Sequence, residues 1–424
     1  MQTIPLHART RAILASPARA GRLKPFIMVR PVTKNLPFLL GFIIAVGPVS
    51  TDMYLPAFPA IAQAFHNAAA PQYSLAAYFV GLAFGQMTQG ALSDRLGRRL
   101  PLLIGLVIYT FASIGCALAW DVGSLVIFRF LAAFGCSAGI VIPRAMVRDL
   151  ADGTAAAKLF SRLMLVMGVA PIVAPMLGSV FVLVTSWRTI FAACALYGVI
   201  ATAAIWFQLP DTLPLERRSR IGFIPVIIRY GVIFKEHAFV THALVATFTS
   251  ACLFAYLAAT PQIFIGQYGW SSIGYAALFG VNSIAYIGYN QLIPSLVPRY
   301  GIAPVITVAG LVLLAACLIL TALAWSPLGA FAIAGALLVS EAGFGLILPC
   351  SMVGALSRHQ AHAGSASALL GTMQYTGGAI SSLSMGVLAD GTSRPMAVTM
   401  LLCAAAVMLA ASLRPPLIFV PAES

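Results

Sequence analysis

Long apolar runs separated by short polar loops make up most of the chain. Twelve runs can be counted, and each approaches the roughly 20 residues that an α-helix needs to cross a bilayer. They begin near Pro37, Gln72, Leu100, Ser124, Leu159, Trp187, Ala238, Ser272, Ile302, Leu328, Ala363 and Pro395. The pattern predicts an all-α integral membrane protein of twelve transmembrane helices, in two repeats of six.

The predicted domain organisation follows from the spacing of these runs. It comprises a basic tail over 1–36, a six-helix bundle over 37–209, a polar linker over 210–237, a second bundle over 238–414 and a tail over 415–424. The segment Pro298–Gly301 faintly repeats Asp94–Gly97, without its acid and its arginines. Decayed repeats are typical of carriers in which two bundles rock about a central site.

Composition supports this class. With 60% hydrophobic and 8% charged residues and a mean hydropathy of +0.95, the chain cannot cover a soluble globule with charge. The net charge of +14 forms no aromatic-interleaved basic patch, so lipid and not nucleic acid is the expected partner. Lys and Arg concentrate on alternate loops, which predicts cytoplasmic termini.

The tail and the cysteines add two expectations. The basic tail has no cleavage site and is interpreted as cytoplasmic, with an organellar transit peptide as the alternative. The seven cysteines form no CxxC pair, so neither a disulfide framework nor a metal site is indicated. We expect no cofactor.

An ordered set of charges and glycines lies between the second and third spans. A basic loop alone would predict the arginines but not the spaced glycines and aspartate. We expect a gate loop in which the glycines permit a tight turn and Asp94 caps a helix or pairs with an arginine across the gap between the halves. The set is Gly90, Asp94, Arg95, Gly97, Arg98 and Arg99, with Asp149 as a partner for the arginines.

Asp52 lies within the first apolar run, just before Pro56 and Pro59. An aspartate at the bilayer centre is disfavoured by roughly 2.5 to 3.5 kcal/mol, so we expect it to face a cavity. Because desolvation favours the neutral carboxyl, Asp52 is the main candidate for proton coupling. The alternative is a structural cap where the prolines break the helix.

Two further ionisable residues lie inside spans. Arg129, in the fourth, is predicted to line the cavity and to couple to protonation of Asp52, unless it snorkels to the interface. Glu341, in the tenth, is the second proton-coupling candidate; the alternative is a protonated acid bonded to a neighbouring helix.

The fifth span carries two prolines one turn apart, Pro171 and Pro175, between Gly168 and Gly178. The prolines must bend the helix, and the glycines allow a neighbour to approach closely. A kinked packing helix without a transport role remains the alternative. Candidates for contact with an uncharged organic substrate are aromatic and amide residues: Tyr54, Tyr78, Gln86, Tyr256, Asn282, Tyr286 and Gln374.

These motifs resemble a known family. The loop from Gly90 to Arg99 resembles the loop between the second and third helices of the major facilitator superfamily, and the proline-rich fifth span looks like the motif of its drug:proton antiporters. With the Asp52 and Arg129 runs, they are similar to the Bcr/CflA subfamily. That resemblance implies cavity-lining first, fourth, seventh and tenth helices, and export of bicyclomycin- or chloramphenicol-type antibiotics through the bacterial inner membrane in exchange for protons.

Two other classes stay open. A metabolite carrier of the same fold would share every motif. A membrane enzyme or scaffold would need a nucleophile and base, a metal-ligand cluster or a phosphate-binding loop, and the sequence offers none of these. We therefore expect a transporter that is not an enzyme and that acts as a monomer on small molecules and protons.

Overall fold

The computed structural model describes residues 36–150, 153–218, 223–359 and 362–415, and every regular element in these ranges is a helix. The predicted tails over 1–36 and 415–424, apart from Leu36 and Pro415, lie outside the described residues.

The first span is broken and not continuous. It consists of α1 (Leu36–Ile44), α2 (Val46–Asp52), one 3-10 turn (Leu55–Ala57) and α3 (Phe58–Ala64). Prolines explain the breaks, because proline has no N–H to donate to the carbonyl four residues earlier. Pro48 therefore cannot donate a hydrogen bond to the carbonyl of Ile44, the last residue of α1. Pro56 likewise cannot donate to the carbonyl of Asp52, the last residue of α2.

Five helices complete the first half: α4 (Ala70–Leu96), α5 (Arg99–Ala117), α6 (Val122–Leu150), α7 (Gly153–Val184) and α8 (Trp187–Gln208). A short helix, α9 (Phe223–Ile233), follows in the linker. The second half contains α10 (His237–Pro261), α11 (Ser272–Asn290), α12 (Ile293–Tyr300), α13 (Ile302–Ala324), α14 (Gly329–Leu356), α15 (Ala363–Val387) and α16 (Arg394–Ser412).

The predicted helix starts agree with the structure to within two residues, with one exception. The fifth span was expected from Leu159, but α7 begins at Gly153. The added turns contain Ala155, Ala156 and Ala157, and alanine is the strongest helix former. Because polar residues flank these alanines, the predicted apolar run did not include them.

Helix packing repeats between the halves. In the first half α5 packs on α6 and α8, and in the second α13 packs on α14 and α16. The faint sequence repeat is also present in the backbone. Gly97 and Gly301 each follow a helix directly, and both have a positive φ, of 91° and 83° respectively. This conformation favours glycine. The structure therefore confirms the predicted fold of two related six-helix units.

The halves meet along two helix pairs, α4 with α15 and α7 with α11. Nine stretches of the described chain are long and apolar enough to cross a membrane, and α4, α11 and α15 are not among them. These three pack between the halves, where polar side chains are covered by protein and not by lipid. In α4, for example, Gln72, Gln86 and Gln89 are buried.

The two ends of the molecule differ in their loops. One end, called the basic end, carries the turn at Gly97 with Arg98 and Arg99 beside it. The other, called the opposite end, carries the loop between α3 and α4.

Candidate functional site

Asp52 is the last residue of α2 and is buried, with 7% of its surface exposed. No salt bridge reaches it from any described residue. The 3-10 turn that begins at Leu55, three residues after Asp52, packs against α10 and α11 of the second half. Asp52 therefore lies close to the boundary between the halves.

Glu341 lies on α14, and 3% of its surface is exposed. α14 packs against α10, which carries Tyr256, and against α11, which carries Tyr286. Asn282 donates a hydrogen bond of 3.0 Å to the Tyr256 hydroxyl. Glu341 is thus a buried acid of the second half, as Asp52 is of the first.

Arg129 lies within the first half in a cage of aromatic rings. Its guanidinium carbon is 4.1 Å from the ring centre of Tyr78, 4.5 Å from that of Tyr54 and 5.7 Å from that of Phe191. Its Nη1 donates to the carbonyl of Ser50 at 3.1 Å. Such rings attract a cation electrostatically. With 1% of its surface exposed, Arg129 does not snorkel to the interface.

Two predicted substrate contacts therefore take part in packing around Arg129. The Tyr54 hydroxyl donates to the carbonyl of Pro71 at 3.0 Å, and the Tyr78 hydroxyl donates to the sulfur of Cys136 at 3.3 Å. No salt bridge joins Arg129 to Asp52 in the described chain. The predicted coupling of these residues would have to act through the helix that carries both Ser50 and Asp52.

Two other predicted contacts lie on α4 and α15. Gln86 is buried where α4 passes Gly371 of α15, and Gln374 is half-buried on α15. Gln86 therefore belongs to the packing surface between the halves.

The helix α7, a continuous helix that contains Pro171 and Pro175, touches both halves. A side chain at Gly178 would collide with the carbonyl of Met53, one residue after Asp52, and Gly168 faces Ile287 of α11. A cleft of about 390 Å³, lined only by apolar residues including Val49, Met53 and Val173, runs between α2 and α7.

Arg98 is the centre of the predicted gate loop. Its Nε donates to Asp149 at 2.7 Å, its Nη1 donates to Ser93 at 2.9 Å, and it forms an ion pair with Asp94. Burial lowers the pKa of Arg98, but the hydrogen bond and charge of Asp149, with those of Asp94, raise it overall. Asp94 does not pair across the gap between the halves, because Arg98 lies only four residues away.

The linker also docks on this loop, which the sequence did not indicate. Asp211 accepts a hydrogen bond of 2.9 Å from the backbone N–H of Arg98, and Arg218 pairs with Asp211 at 2.8 Å. Gly97 leaves room for both, since a side chain there would overlap them. Arg99 donates to the carbonyl of Trp206 at 2.6 Å, whereas Arg95 is exposed and Gly90 faces Val141.

The second half has a charged cluster of its own at the basic end. Glu236, which precedes α10, pairs with His359 at 2.8 Å and with Arg358 at 3.4 Å, beyond the end of α14. Each ion pair of the described residues thus lies within one half, within the linker, or between the linker and the second half.

Neutral hydrogen bonds join the halves at the opposite end. The Gln72 amide donates to the carbonyl of Ala258 at 3.2 Å and to the side chain of Gln262 at 2.7 Å. Gln262 donates in turn to Ala68 at 2.6 Å, and the Ser382 hydroxyl donates to the carbonyl of Gln72 at 3.1 Å. This end is therefore closed.

Comparison with known proteins identifies the family. The profile of the Major Facilitator Superfamily matches residues 40–382. The chain belongs to this superfamily. It is 35% identical to the uncharacterized MFS-type transporter YdgK of Bacillus subtilis, over 87% of this chain and 92% of that protein.

A second relative carries a functional name. The chain is 29% identical to a bicyclomycin resistance protein homolog of Haemophilus influenzae, over 88% of this chain and 94% of that one. Among solved structures, a D-xylose-proton symporter has the same fold, with a TM-score of 0.74 and 16% identity over 91% of this chain and 98% of that one. The protein is therefore a multi-pass membrane transporter and not an enzyme.

The superfamily fold also brings together residues that the site prediction did not include. Phe79 of α4, Phe254 of α10 and Tyr375 of α15 form one aromatic cluster between the halves, and Arg144 of α6 has a buried Nε without a hydrogen-bond partner among the described residues. Helical spacing could have indicated Arg144. It follows Arg129 by 15 residues (144 − 129), which at about 100° per residue leaves the two side chains only about 60° apart around the helix.

Proposed function

We propose that the protein is a proton-coupled antiporter that exports small organic molecules, among them antibiotics of the bicyclomycin and chloramphenicol type, by alternating access. One observation carries the proposal: the two halves each contribute one buried carboxyl group, Asp52 and Glu341, and neither forms an ion pair with any described residue. Acids that face a shared space can take protons from one side and release them to the other when access to water alternates. The relative named for bicyclomycin resistance supports the substrate class.

The proposal includes an orientation. The end that carries Arg98, Arg99 and Arg218 faces the cytoplasm, as do both termini, in the inner membrane of a bacterium, because basic loops are retained inside. The hydrogen bonds of Gln72 and Gln262 then exclude the outer solution in the conformation described. The transporter acts as a monomer surrounded by lipid and needs no cofactor, since the proton gradient supplies the free energy.

The moving parts are the two bundles, 37–209 and 238–414, joined by the linker 210–237. Rocking of one bundle against the other breaks none of the described ion pairs, because no pair crosses between the bundles. The Arg98 cluster accordingly acts as a brace that fixes the α4–α5 turn to α6 and to the start of the linker. The helix α7 transmits movement, since it touches α2 and α11.

The proposal is tested in inverted membrane vesicles from an efflux-deficient bacterium, with radiolabelled chloramphenicol and bicyclomycin as probes. We expect an imposed pH gradient to drive uptake by the native protein, and Asp52→Asn to reach the membrane but to show no gradient-driven uptake. Asp121→Asn is the matched control. Asp121 is an exposed acid whose pKa is lowered by hydrogen bonds from Ser124, and its variant should transport normally. Native-like uptake by Asp52→Asn would refute the assignment.

A further inference from the structure

The linker helix α9 has apolar residues on all sides, and Arg229 is its only charged residue. Tyr230 and Ile233 are buried against the protein, with 8% and 1% of their surfaces exposed. At about 100° per residue, Ile228 and Val232 project about 160° and 200° round the helix from Tyr230. They are 62% and 64% exposed. Because a helix that is apolar all round is normally buried, the outward side of α9 requires a cover other than water.

The helix is too short to be another span. Its 11 residues extend about 17 Å, whereas the hydrocarbon core of a bilayer is roughly 30 Å thick. It lies in the linker between α8 and α10, and both of these helices are long and apolar enough to cross a membrane. The helix α9 must therefore lie beside the spans.

Its contacts place α9 against the spans near the basic end. The Tyr230 hydroxyl donates a hydrogen bond of 3.2 Å to the carbonyl of Met87. Met87 precedes the end of α4 by nine residues (96 − 87), or about 13 Å along that helix. Ile233 belongs to one apolar cluster with Phe239 of α10 and Leu370 of α15. The packed side of α9 thus faces the spans, and its outward side faces the lipid that surrounds them.

The charge of this segment matches a negative surface. Between Glu216 and Glu236 the sequence contains five basic residues and no acid. Arg229 lies within α9 and Lys235 follows two residues after its end, and no ion pair among the described residues includes either. Each basic residue close to an anionic bilayer strengthens the association by about fivefold. The phosphates of anionic lipids are therefore suitable partners.

We propose that α9 is a docking surface for the bilayer at the basic end. Ile228 and Val232 lie among the acyl chains, and Arg229 and Lys235 bind the phosphates of anionic phospholipids. Helices of this type bury their apolar side about 5–10 Å into the boundary between headgroups and acyl chains. Because α9 also packs on α15 and bonds to α4, anionic lipid would hold the linker beside the contact between the halves.

The test measures which lipid touches the outward side of α9. Full-length protein with Ile228→Cys is labelled with bimane and reconstituted in phosphatidylcholine vesicles. The vesicles contain the same low mole fraction of phosphatidylglycerol or phosphatidylcholine with a nitroxide on the acyl chain, which quenches a nearby bimane. Six of the seven native cysteines are buried, and native protein treated with the label gives the blank. We expect the labelled phosphatidylglycerol to quench at least about twofold more strongly.

Two other label positions calibrate the signal. Leu311→Cys places the bimane on an exposed position of α13, a membrane span. Both nitroxide lipids should quench it, and their ratio there gives the general lipid enrichment around the protein. Glu216→Cys places the label on an exposed position of the linker outside α9, where neither lipid should quench it.

Two pairs of substitutions isolate the charge. Arg229→Gln combined with Lys235→Gln should lower the lipid ratio at Ile228 to the value at Leu311. Arg299→Gln combined with Arg394→Gln removes the same formal charge from exposed positions outside the linker and should leave the ratio at Ile228 unchanged.

The absence of quenching at Ile228 while Leu311 is quenched would mean that a second copy of the chain or the basic tail covers α9, and would overturn the proposal. A lipid ratio at Ile228 that equals the ratio at Leu311, or that persists in the Arg229 and Lys235 double variant, would exclude the anionic partner and would also overturn it. Since neither substrate nor gradient is used, the result does not depend on the proposed export function.

Discussion

The two carboxylates that hold Arg98 should differ widely in their contribution to stability. The Arg98 side chain is 7% exposed and that of Asp149 is 17% exposed, whereas that of Asp94 is 54% exposed. Asp149→Asn removes a charged partner from a buried guanidinium, and hydrogen bonds to charged groups contribute about 1.5–3 kcal/mol. Asp94→Asn removes an exposed partner whose place water can take, and an exposed ion pair contributes about 0.2–1 kcal/mol to stability.

We therefore expect Asp149→Asn to lower the free energy of unfolding by about 2 kcal/mol and Asp94→Asn by about 0.5 kcal/mol. At about 1.4 kcal/mol per factor of ten, these values correspond to roughly 30-fold and 2-fold changes in the unfolding equilibrium. The assay is reversible unfolding in mixed micelles of rising dodecyl sulfate content, followed by tryptophan fluorescence.

A double-mutant cycle isolates the pair. Arg98→Met combined with Asp149→Asn should destabilise by less than the sum of the single changes, since the second change no longer leaves a buried charge alone. If Asp94→Asn destabilises the protein as much as Asp149→Asn does, burial is not what distinguishes the two contacts, and the reasoning is wrong.

Three further predictions concern transport and packing. Glu341→Gln should keep transport driven by a pH gradient but lose one of two inward proton charges, which removes about 2.3 kcal/mol of driving free energy per 100 mV; an unchanged response to potential in reconstituted vesicles would reduce Glu341 to helix packing. Gly178→Val should lower the amount of monodisperse protein on size-exclusion chromatography, because its side chain meets the Met53 carbonyl, whereas Gly335→Ala, with open space around it, should not; equal yields would contradict the close contact. Asp94→Asn should lower turnover, with ligand affinity kept within a few fold; lost binding with unchanged spin-label distances between the ends would argue against a brace.

The hydropathy pattern predicted most helices of the fold. Each lipid-facing span must be apolar along its length, so the starts of α8 and α13 could be read directly from the chain. The prolines marked the region where the first span breaks. The start of α7 could not be placed, since a helix that extends beyond the apolar run is not visible in hydropathy.

The candidate site was less accessible to sequence reasoning. Exceptional residues such as Asp52 and Arg129 stand out because charge is costly inside a membrane. The direction in which a side chain points cannot be read from the sequence. Tyr54 and Tyr78 were for this reason predicted as substrate contacts, whereas in the structure they surround Arg129. Asp211 was missed because its contact with Arg98 joins residues 113 positions apart.

The polarity of α4 has a consequence for the synthesis of this protein. Buried glutamines make α4 too polar to count among the spans that enter a bilayer readily, and its main partner across the molecule is α15. Between the end of α4 at Leu96 and the start of α15 at Ala363, 267 residues (363 − 96) must be translated. At roughly 5–20 residues per second, this takes about 13–53 s. Throughout that interval the first half must hold a helix that lacks its α15 partner, so neighbouring spans or the insertion machinery have to shield Gln86 from lipid until the last 62 residues (424 − 362) arrive.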